Sequence, residues 1–123
     1  TLREIFTVKA SDYWTTHYRP NQTAERHGCT LSRSSIDLLI INTVVPFLFH
    51  YSQVSCDEQL QDNTLDLLLQ LKAEQNHKVA RFANFSCPDA YTSQALIQLH
   101  DNYCLRKDCL RCQIAHQSSC ESG

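Results

Sequence analysis

Cysteine is the residue type most able to do chemistry in this chain of 123 residues, and it occurs at 29, 56, 87, 104, 109, 112 and 120. Spacing matters more than number. Cys104, Cys109 and Cys112 form a C-x4-C-x2-C pattern beside Arg106, Lys107 and Arg111. Two sulfurs separated by two residues can chelate one metal from a tight turn. A third sulfur upstream, at a helix end, can complete one face of a tetrahedron. Such thiolates suit zinc or an iron–sulfur cluster. The three cations are expected to favour thiolates and offset their charge. Reduced structural thiols and a redox pair are the rival readings. A four-ligand site needs one more donor, and His116, Cys120, His100 and His17 are the candidates. His116 follows Cys112 at knuckle-like spacing. His100 precedes Cys104 by one helical turn, so both can share a face.

Other polar residues read as structural. Asp37 and Asn42 stand about 140° apart around a helix, which separates them. Asp37 is expected to serve a helix cap, and Asn42 to bond a backbone group of a neighbouring element, since buried polar groups need partners. Glu74, Asn76, Ser93 and Gln94 suit capping and interhelical hydrogen bonds. No spacing assigns the histidines and serines triad roles. Two glycines are too few for a phosphate loop. Tyr13, Trp14 and Tyr18 could stack on bases, but core packing is the expected role.

The elements that position these residues are helical. Leu2, Ile5 and Phe6 share one face of an opening turn. The polar stretch from Arg19 to Arg33 reads as a loop. A helix is expected from Ser34 or Ser35, with Ser34 and Asp37 as cap and acidic partner. Its residues from Ile36 to Phe49 are apolar on nearly every face, so it should lie buried in the middle of a bundle. Pro46 removes a donor and predicts a kink or an early end. Ser55-Cys-Asp-Glu58 reads as a capping box for the next helix. A short helix within 77–85 follows. The last long helix starts around Ser86-Cys-Pro-Asp89 and carries Thr92, Leu96, Leu99 and Tyr103 into Cys104.

Composition sets the outer bounds. Hydrophobic residues make up 42%, which excludes a disordered chain. The net charge of −2 offers no global basic field for nucleic acid. The 14-residue apolar stretch from Ile36 to Phe49 is too short to cross a bilayer, so no membrane role is expected. The odd, scattered cysteine count argues for a reducing compartment. A chain that opens on Thr1 without any Met is expected to be a fragment or a processed product.

Three segments carry a family resemblance. They are Val8-Lys-Ala-Ser-Asp-Tyr-Trp-Thr-Thr-His-Tyr18, Ser35-Ile-Asp-Leu-Leu-Ile-Ile-Asn-Thr-Val-Val-Pro46, and Ser93-Gln-Ala-Leu-Ile-Gln-Leu99 followed by Tyr103-Cys-Leu-Arg-Lys-Asp-Cys-Leu-Arg-Cys112. Leu71-Lys-Ala-Glu-Gln-Asn76 is a weaker fourth, with Lys72 where the family usually has Pro. The chain resembles the C-terminal region of the bacterial family called domain of unknown function 2851. The resemblance implies a cytoplasmic bacterial protein whose upstream part is similar to nuclease cores, with nucleic acid as a partner through that part. The motifs of that part are absent from this chain. His17 lies in a matched segment and His116 and Cys120 do not fit the pattern, which puts His17 ahead as fourth ligand.

The expectation is therefore one all-α domain over residues 1–123, a bundle of about four to six helices with a cysteine-rich C-terminal cap. Its expected role is a noncatalytic accessory module that packs on the upstream domain. The rivals are an enzyme with a metal or redox centre at the cysteines, and a metal-free helical scaffold that binds a partner.

Overall fold

The computed structural model describes residues 1–120, with side chains through residue 117. The chain is mostly helical, with one small two-stranded sheet. It divides into two compact units, Thr1–Pro46 and Phe47–Gly123.

In the first unit, α1 (Leu2–Ile5) precedes a 3₁₀ turn (Asp12–Thr15) and the antiparallel strands β1 (His17–Arg19) and β2 (Gln22–Thr23). The stretch after Arg19 is thus partly a hairpin rather than a plain loop. Pro20 and Asn21 make its turn, and Asn21 sits at φ 61°, a left-handed conformation that asparagine tolerates. Helix α2 (Arg33–Leu39) starts earlier than its sequence suggests. Ser32, not Ser34, is the N-cap, and its hydroxyl accepts from the Ser35 N–H at 3.1 Å. Asp37 takes no part in that cap. Its Oδ1 accepts from Arg3 Nε at 2.7 Å and ties α1 to α2. This bond comes first among the reasons that the Arg3 pKa is raised.

Beyond α2 the backbone widens into a π turn (Ile40–Val44) and continues as α3 (Val45–Ser55). The Val45 N–H donates to the Ile40 carbonyl, one residue further back than in an α-helix. Pro46 therefore does not end the helix, and the register slips one turn ahead of it instead. The full helix, Arg33–Ser55, has 23 residues and is apolar and long enough to cross a membrane by length and composition. It is not the all-round buried rod expected. Ile36, Ile40, Ile41 and Val45 are buried, whereas Leu38 is 42% exposed and Leu39 is exposed too. One face does the packing, so an apolar composition on every face did not translate into burial on every face. Asn42 is exposed as well and donates to the Leu38 carbonyl of its own helix at 3.0 Å, not to a neighbouring element.

In the second unit, α3 closes in a Schellman motif. The Cys56 N–H reaches the Gln53 carbonyl, and the Asp57 N–H reaches the Ser52 carbonyl at 2.9 Å. Cys56 takes the left-handed position at φ 54°. Helix α4 (Glu58–Gln70) begins at once, capped by Asp57 Oδ1 on the Leu60 N–H at 2.9 Å. The expected cap, Ser55, is still inside α3 and donates to the Tyr51 carbonyl. It cannot be a cap because an N-cap residue needs a non-helical backbone. Short α5 (His77–Ala80) leads through turns to α6 (Ala90–Leu99), which packs against α4 and α5. A second π turn (His100–Cys104), a 3₁₀ turn (Cys109–Arg111) and α7 (Gln113–Cys120) follow.

Replacing Asp57 with Ala should cost about 1 kcal/mol of stability. Cys56→Gly should add about 1 kcal/mol, because glycine adopts the left-handed conformation without the Cβ penalty. Urea denaturation of the two variants checks both signs.

Candidate functional site

The polar residues of the second unit converge on the end of α4 and the start of α6. Leu71 leaves α4 with extended backbone, and its carbonyl accepts from the Ala90 N–H at 2.9 Å. A few residues on, the Glu74 N–H meets the Ser93 hydroxyl at 3.0 Å. That fully buried hydroxyl in turn donates to the Ala90 carbonyl at 3.0 Å. The Glu74 carboxylate then holds two side-chain amides, Asn76 Nδ2 at 2.9 Å and Gln94 Nε2 at 3.0 Å. Asn76 uses its oxygen to cap α5, accepting from the Lys78 and Val79 N–H groups. Sequence reasoning named these four residues and their structural role. Only their convergence on Glu74 was hidden.

A second chain of contacts runs from α5 to the π turn. Lys78 Nζ donates to Asp101 Oδ2 at 2.6 Å, and His100 Nδ1 faces Asp101 Oδ1 at 2.8 Å. Arg81 Nη1 lies 3.2 Å from His100 Nε2. A guanidinium can only donate, so Nε2 accepts, and Nδ1 carries the hydrogen given to Asp101. His100 is 6% exposed, with both ring nitrogens engaged. It has no free nitrogen for a metal or a substrate in this arrangement. Lys78 first, then His100, hold the Asp101 carboxyl below its usual pKa.

Beside Glu74 lies an open cleft of about 440 Å³, lined in part by Asn76, His77, Val79 and Cys87. Burial first, then the nearby charge of Asp89, pushes the Cys87 thiol up, so it stays protonated at neutral pH. A protonated thiol is a poor nucleophile. The polar groups that line the cleft are thus a carboxylate already holding two amides, a capping amide, the Gln75 amide, the His77 imidazole and a protonated thiol.

The cysteine segment closes back on the end of α6. A Schellman motif with Lys107 at φ 54° ends the π turn, its Asp108 N–H on the Tyr103 carbonyl at 2.9 Å. Cys112 is buried, and it lines a cleft together with Leu99 and Tyr103. Cys104 and Cys109 are exposed. Among the described residues no group of three histidine, cysteine or acidic side chains is gathered to hold a metal. The three thiols as placed therefore do not make a ligand set. Arg111 pairs with Asp108 at 2.6 Å. His116 Nε2 contacts the Leu110 carbonyl at 2.6 Å. His17 belongs to the first unit, where its Nδ1 faces the Tyr13 carbonyl at 2.8 Å. The side chain of Cys120 lies outside the described residues.

Residues 1–77 match the family described as Protein of unknown function (DUF2851), and the chain belongs to that family. The matched span contains the segments from Val8 to Tyr18, Ser35 to Pro46 and Leu71 to Asn76, and ends before Ser93 and the three cysteines. No curated protein and no solved structure matches the chain.

The lowered Asp101 pKa carries a sign. The unfolded chain binds the proton more readily than the folded one, so the contribution is present above the usual carboxylate range. It is lost as pH falls through the lowered value. Asp101→Asn should therefore flatten the acid limb of stability between about pH 5 and pH 2, as read by urea midpoints across that range.

Proposed function

We propose that this chain is a noncatalytic accessory module of a larger protein of its family, packed through α3 against another part of that protein. The observation that carries this reading is the outer face of α3 in the second unit. Phe47, Tyr51 and Val54 recur at helical spacing on one face, with Phe47 66% and Val54 70% exposed. The Phe47 and Tyr51 rings stack at 6.2 Å. An ordered apolar stripe of this kind marks an interaction surface. Phe47, Tyr51 and Val54 also sit among polar residues, with His50 and Gln53 on the same helix, as at the rim of a protein contact.

The polar networks fit a structural role. Ser93, Glu74, Asn76 and His100 have their hydrogen-bonding groups occupied by the protein itself, which fixes helices rather than presenting reactive atoms. In this reading the segment from Cys104 to Cys112 is a cap on the end of α6, held by the burial of Cys112 and the Arg111–Asp108 pair. A zinc ion or an iron–sulfur cluster would need Cys104 and Cys109 to turn toward Cys112 and a fourth donor to join them. The cap does not depend on it.

The test compares the isolated chain with the full-length protein by hydrogen exchange. Amides of α3 should exchange more slowly in the full-length protein, and Phe47→Ser with Val54→Ser should remove that difference. The double variant should keep the stability of the isolated chain to within about 0.5 kcal/mol per site, as exposed substitutions do. Equal exchange of α3 in both proteins, or partition of the chain into phospholipid vesicles through this helix, would contradict the proposal.

A further inference from the structure

The aromatic segment of the first unit faces outward, against the expectation of core packing. Trp14 is 41% exposed and Tyr18 is 71% exposed. The rings are nevertheless held in order. Tyr13 lies flat on His17, with centroids 4.0 Å apart and planes 9° apart, and Trp14 meets Tyr13 edge-on at 5.1 Å. Tyr18 lies flat on His27 at 3.7 Å and 8°. Each histidine covers one face of a tyrosine ring, and both Tyr13 and Tyr18 remain exposed.

Backbone bonds fix the scaffold under these stacks. The Ala24 N–H donates to the Thr16 carbonyl at 2.7 Å, and the His27 N–H to the Thr15 carbonyl at 2.9 Å. The Asn21 N–H donates to the Tyr13 hydroxyl at 3.2 Å, and the Cys29 thiol to the Trp14 carbonyl at 2.7 Å. The ordering cost of the rings is thus met before any ligand arrives. Arg19, next to Tyr18 in β1, and Arg26, next to His27, are exposed. Neither has an ion-pair partner among the described residues.

We propose that residues 13–27 form a stacking platform for single-stranded nucleic acid. Bases stack on the exposed rings of Tyr18 and Trp14, and the exposed Arg19 and Arg26 of the same segment neutralise phosphates of the strand. Each half of the surface narrows the occupant. An apolar peptide would use the rings without needing unpaired cations. An acidic peptide would use the cations without needing flat, open ring faces. A duplex keeps its bases stacked on one another and offers the rings nothing. Flexible single strands present both π-faces and phosphates, in a way that tolerates sequence. The chain's net charge of −2 opposes a purely electrostatic attraction, so stacking must supply the preference.

Trp14 is the sole tryptophan, which makes its fluorescence a direct reporter. Titrating the whole chain with oligo(dT) of about ten nucleotides, a length within single-strand site sizes, should quench it. The affinity should fall with salt at a slope of about −1.4, as expected for two phosphates on a single strand. Tyr18→Ala should weaken binding by roughly 5-fold or more, the effect of losing one base stack. Tyr18→Phe keeps the ring and should bind as the parent does. Arg19→Glu with Arg26→Glu should abolish binding, with circular dichroism confirming that each variant is folded. A lack of quenching would overturn the proposal. So would duplex DNA or dextran sulfate binding as tightly as oligo(dT), or Tyr18→Phe losing affinity along with Tyr18→Ala.

Discussion

The Glu74 N–H lies just past the end of α4, where the chain has left helical geometry and no helical carbonyl is in reach. Ser93, buried one turn into α6, supplies the acceptor. Much of the second unit follows from that bond. It brings the chain after α4 onto α6 alongside the Leu71–Ala90 backbone pair. It also aims the Glu74 carboxylate at Gln94 and Asn76, and Asn76 then starts α5. Starting α5 places Lys78 and Arg81 against Asp101 and His100 at the far end of α6. A backbone donor left without its acceptor at a partly buried site costs about 1–3 kcal/mol, more than most exposed ion pairs contribute. The serine hydroxyl is therefore the stronger constraint than the Lys78–Asp101 contact, whose partners remain partly exposed.

Both π turns fall where a local demand breaks the α register. One lies just before Pro46, which has no N–H to donate to the helical ladder. The other holds His100 with both nitrogens bonded, and the Leu105 N–H reaches back to the His100 carbonyl at 2.8 Å. The widened turn thus lies at the point where a buried imidazole must meet partners from α5 as well as its own neighbour Asp101.

How far the sequence reveals this depends on the kind of signal. The order of the long helices follows from apolar spacing, and Glu74, Asn76, Ser93 and Gln94 stand out as small polar groups at helix boundaries. Helix ends are harder to read. Ser55-Cys-Asp-Glu58 looks like a capping box, yet Cys56 occupies the left-handed position that usually advertises itself as glycine. Lys107 does the same at the end of the second π turn. A chain with two glycines hides its C-caps, and the next N-cap shifts with them. The cysteine triplet reads as one site because spacing along the chain says nothing of side-chain direction. In the fold Cys112 turns inward while Cys104 and Cys109 face solvent. Tyr13, Trp14 and Tyr18 mislead in the opposite sense. Large rings usually supply core, but here histidine stacking and backbone bonds order them at the surface.

Hydrogen exchange of the Glu74 amide is the most direct measurement of the central constraint. Glu74 lies outside any helix, and its amide hydrogen bond goes to the Ser93 hydroxyl. Protection of the Glu74 amide should be close to that of the Ala90 amide, with both falling together in Ser93→Ala. Exchange of the Glu74 amide at the rate of an unstructured peptide in the unaltered protein, while Ala90 stays protected, would contradict it.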